Sequence, residues 1–66
     1  MKFKYLRKKI KAIIESQLPN ISEKDKERIL EIILHMYEHL EALKMNEAQQ
    51  ELIKNADLLV NYFDHK

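Results

Sequence analysis

The sequence predicts an all-α fold. Three observations predict it: the chain has no glycine and a single proline, it is rich in Leu, Ile, Lys and Glu, and its apolar residues recur at helical spacing. Tight hairpins favour glycine, so this composition also argues against sheets. Well over two thirds helix is expected, in one domain covering residues 1–66.

Helix one is predicted over about residues 3–17. Phe3, Leu6, Ile10 and Ile13, with Ile14 and Leu18 beside them, fall three and four apart and share one face. Pro19 disfavours helical geometry at Leu18 and removes a backbone donor, so the helix ends there. Ser22 then offers a cap, and Glu23 and Asp25 suit the positive end of a new helix.

Helix two is predicted over 23–44. Its inward stripe reads Ile29, Ile33, Met36, Leu40 and Leu43, flanked by Leu30, Ile32, Leu34 and Tyr37. The flanks widen the apolar arc to roughly 200°, about twice what a one-sided surface helix needs. Helix two is therefore expected at the centre of the fold.

Helix three is predicted over 47–63. Its stripe of Met45, Ala48, Leu52, Ala56, Leu59 and Phe63 would lie roughly 100° out of phase with the preceding one in an unbroken helix, so a break is placed near Lys44 to Asn46. Asn46 is a candidate N-cap and Gln49 a candidate capping-box partner. Helices two and three then form an antiparallel hairpin in a three-helix unit.

Association follows from the amount of apolar surface. About two dozen residues are large and apolar, whereas a chain this short buries only about 60% of what its unfolded form exposes. No cysteine is present to add a disulfide. A homodimer packed as a helical bundle supplies the missing cover, with Ile29, Ile33, Met36, Tyr37, Leu40, Leu59, Tyr62 and Phe63 as the expected protein interface.

Charge is polarised along the chain. Residues 1–18 carry Lys2, Lys4, Arg7, Lys8, Lys9 and Lys11 against Glu15 alone, a net +5, while residues 19–66 sum to −4. Three readings of this basic segment compete. It is a solvated face leaning on the acidic helices of its own fold, or a nucleic-acid contact through Lys4, Tyr5, Arg7, Lys8 and Lys11, or a membrane-surface helix. The last requires the Phe3–Ile13 stripe both in the core and in lipid, which weighs against it. No apolar run approaches the roughly 20 residues of a membrane span, and lysines interrupt any secretory signal, so a cytoplasmic location is expected.

One short run resembles a catalytic motif. His35-Met36-Tyr37-Glu38-His39 reads as H-x-x-E-H, the pattern of inverted zinc peptidases, in which two histidines bind zinc and the glutamate acts as base. The resemblance covers five residues, without a third ligand or a cleft, and no metal or cofactor is assigned; the two histidines are read as the rim of an interface. The tail around Asp57, Leu59, Val60 and Tyr62 resembles the helical-hairpin aspartyl phosphatases of sporulation control. The tyrosine spacing departs from that family and its full Ser-Gln-Glu-Leu-Asp signature is missing, so no activity is carried over.

With no phosphate loop, no cysteine nucleophile and no paired catalytic carboxylates, the expected function is non-enzymatic. A small regulatory or adaptor protein acting through helix-mediated protein association is the first reading. An accessory nucleic-acid-binding protein using helix one is the alternative.

Overall fold

Ser22 starts the longest helix as its composition requires: its Oγ accepts the Asp25 amide at 3.1 Å, with Glu23 and Asp25 in the first turn. In the computed structural model, which describes residues 3–64, four helices follow one another: α1 (Lys4–Gln17), α2 (Glu23–Ala42), α3 (Asn46–Lys54) and α4 (Ala56–Asp64). Helices make up 84% of the described residues, with no strand among them. The all-α expectation holds, while the expected three-helix unit has four helices.

The break after α2 falls at residues 43–45 and is held by backbone bonds. Met45 N–H donates to the Leu40 carbonyl and Lys44 N–H to that of Glu41, both at 3.0 Å, which is the Schellman arrangement of a helix C-terminus. Lys44 takes the left-handed conformation this requires, at φ 59°, a position usually filled by glycine.

The helix expected over 47–63 is interrupted at Asn55. Asn55 Nδ2 donates to the Glu51 carbonyl at 3.1 Å, and the Asn55 carbonyl accepts Leu59 N–H at 3.0 Å. Asp57 Oδ1 accepts the Leu58 amide at 2.9 Å. Asparagine competes for backbone groups inside a helix and suits its ends, so Asn55 closes α3 and opens α4. Asn46 is the first residue of α3 and gives no side-chain cap; the N-cap position falls to Met45.

α1 packs against both α2 and α4, and α3 folds back on α2. Ile10, Ile14 and Leu18 meet Ile29, Leu30 and Ile33 of α2 and Val60 of α4 in one core, with Leu6, Ile13, Ile21, Leu34, Ile53 and Phe63 around it. The inward face of α2 is thus centred on Ile29, Leu30, Ile33 and Tyr37. Met36 and Leu43, expected to point inward, are exposed. The cause is tertiary: α1 engages the Leu30–Leu34 side of α2, leaving the opposite edge of its wide apolar arc outside.

The body is flat, with extents of 35 × 25 × 16 Å.

Candidate functional site

The outer edge of α2, with its C-cap, carries Ile32, Met36 and Leu43, which are 38%, 39% and 55% exposed. With His39 they are spaced four, three and four apart, so they lie within about 60° of one another on the helix. This is the spacing by which one helix packs along another. On α4, Leu58 and Tyr62 lie one turn apart and are also exposed, with Tyr62 edge-on to Phe63 at a centroid distance of 6.3 Å. Six large apolar side chains beyond α1 stay in water, counting Met45 at the start of α3.

The expected interface residues divide into three groups. Ile29 and Ile33 are buried in the chain's own core. Tyr37, Leu40, Leu59 and Phe63 are half-buried; the Tyr37 ring meets Phe3 edge-on at 5.3 Å and Phe63 packs on the core. Met36 and Tyr62 alone of the set are exposed. Ile32 and Leu43, read in the sequence as a flank and an inward residue, take the outward places. The signal for them was the same three-and-four spacing, repeated on the second edge of the 200° arc.

Gln49 has a role that capping logic missed. It is 7% exposed, and its Nε2 donates to the Tyr37 carbonyl at 3.3 Å, tying α3 to α2. A buried amide needs a partner, and the backbone of the neighbouring helix supplies one.

The basic segment is partly neutralised within the fold. Both terminal nitrogens of Arg7 donate to Glu31 Oε2, at 3.0 and 2.6 Å, and Lys11 Nζ lies 3.7 Å from Glu27 Oε2. Lys26 bridges α2 to α1, 3.1 Å from Glu23 and 3.9 Å from Glu15. The Lys26 hydrogen bond, reinforced by its charge, holds the Glu23 carboxyl below its ordinary range. What faces solvent is Lys4, Tyr5, Lys8 and Lys9, with Tyr5 80% exposed. Lys2 lies outside the described residues.

His35 and His39 are both exposed and, with Met36, Glu38 and Ala42, line one open depression on α2. Among the described residues no group of three or more His, Cys, Asp or Glu side chains is close enough to hold a metal ion. Among the described residues the five-residue likeness to a zinc peptidase therefore has its two histidines and no third candidate ligand beside them. No described helix is long and apolar enough to cross a membrane.

Comparison of the chain with protein-family models, with curated proteins and with solved structures finds no match.

Proposed function

We propose that the chain is a cytoplasmic, non-enzymatic regulatory or adaptor protein that acts by helix-mediated association, pairing first with a second copy of itself. The observation that carries this reading is the apolar edge of α2. Ile32, Met36 and Leu43 are left in water by a chain that has a closed core elsewhere. Burying such side chains contributes about 25 cal/mol per Å², which works against the freedom two copies lose on associating. The α4 pair Leu58 and Tyr62 extends the apolar surface available to a further protein partner.

The test is sedimentation of the metal-free chain, in chelator, over a wide concentration range. A monomer–dimer equilibrium is expected, and Met36→Asp should abolish it with helix content unchanged. A wild-type chain that stays monomeric throughout, or a variant that associates equally well, overturns the reading.

A second reading uses α1 as an accessory nucleic-acid contact. Tyr5 stands in solvent among Lys4, Lys8 and Lys9, an arrangement suited to stacking on an exposed base beside neutralised phosphates. Binding to a labelled single-stranded oligonucleotide should fall steeply with salt. Undetectable binding at low salt removes it.

A further inference from the structure

The centre of the exposed stripe and the centre of the histidine pair coincide. Ile32 to Leu43 is centred between residues 37 and 38, and His35 to His39 on residue 37, a difference of under about 1 Å along the helix at 1.5 Å per residue. A two-fold axis perpendicular to α2 at that level lays two copies antiparallel. Ile32 of one copy then runs alongside the Leu43 end of the other, and the same operation sets His35 of one copy against His39 of the other. One symmetry element thus serves both the apolar edge and the imidazoles.

We propose that His35 and His39 of two copies together form a four-imidazole site for a divalent transition ion of the zinc class, closed only when α2 pairs with α2 of a second copy. This rests on the association reading above. Side chains one turn apart have Cβ atoms about 5–6 Å from each other, and a zinc–nitrogen bond is about 2.0–2.1 Å, so two imidazoles on successive turns reach one ion. Each copy is half of a tetrahedral shell, because the described residues contain no third ligand group near the pair. Both histidines face solvent on the outward side of α2, so neither is committed to the core. Nitrogen donors without thiolate select zinc, nickel or copper ions over magnesium or calcium. The ion links metal supply to assembly, since binding free energy enters the dimer and not the monomer.

The experiment adds Zn²⁺ to the full chain and follows mass by sedimentation, with a chelator arm alongside. Zinc should tighten the dimer at least tenfold, saturate at one ion per two chains, and reverse with chelator; Co²⁺ in its place should give the visible absorption of a tetrahedral site. The variant His35→Asn/His39→Asn should lose the zinc response, read as the difference between its mass with zinc and its own mass in chelator. Zinc bound by a monomer, zinc without effect on mass, or an equal response in the variant overturns the site. Those results leave the chelator arm to judge the apolar edge by itself, and a chain that dimerises only with zinc overturns the apolar reading while supporting the site.

Discussion

Arg7 grips Glu31 with both terminal guanidinium nitrogens on a single carboxylate oxygen, joining α1 to α2 across 24 residues of sequence. The pair is partly exposed, at 29% and 49%, so solvent screens much of its attraction. A double-mutant cycle with Arg7→Met and Glu31→Gln should return a coupling of about 0.2–1 kcal/mol at low salt, shrinking as salt rises. A coupling that stays constant into molar salt contradicts this reading. Because Arg7 is so engaged, Arg7→Met should also weaken oligonucleotide binding less than Lys8→Met.

Gln49 is a polar side chain at a core position, and its energetics separate volume from hydrogen bonding. Gln49→Ala removes both, and should cost about 1–3 kcal/mol. Gln49→Met keeps the volume and loses the bond to the Tyr37 carbonyl, so about 1 kcal/mol is expected. Urea unfolding of the two variants decides; a Gln49→Met variant as stable as the wild type shows that the bond contributes nothing.

Lys44 holds a left-handed backbone without being glycine, at φ 59°. That conformation costs an ordinary residue about 1–2 kcal/mol, part of which glycine returns through its freer unfolded chain. Lys44→Gly should therefore stabilise by up to about 1 kcal/mol, raising the melting temperature by roughly 4–8 °C for a domain this small. Lys44→Val should lower it, since a branched Cβ is strained at positive φ. A lower melting temperature for the glycine variant contradicts the Schellman assignment.

Glu23 gives the molecule a small acid sensitivity with a defined sign. Its folded carboxyl ionises below the ordinary value of 4.5, through its hydrogen bond to Lys26 and then the Lys26 charge. A depressed acid contributes stability that is present above the unfolded value and disappears as pH falls through the folded one. NMR titration of Glu23 should move toward 4.5 in Lys26→Met. An unchanged midpoint assigns the shift to the helix N-terminus instead.

Much of the fold is legible in the sequence because its punctuation is local. Pro19 ends α1, Ser22 caps α2, and the phase shift between two stripes places the break that the backbone makes at residues 43–45. The division of the last helix at Asn55 was written there too, as Asn55 and Asp57 around Ala56, but it sits inside a continuous apolar pattern that masks it. The candidate site was half legible. Met36, Tyr62, His35 and His39 stood out by type and spacing, and the structure places all four in solvent.

The sequence by itself determined the helical class, the end of α1, the start of α2 and the break that follows it, because these depend on residues within a few turns of one another. Only the tertiary structure decided which edge of α2 is spent inside. An arc of roughly 200° fits more than one rotation about the helix axis, and the choice among them belongs to α1, α3 and α4, whose packing buries Ile29, Leu30 and Ile33 and leaves Ile32, Met36 and Leu43 in water.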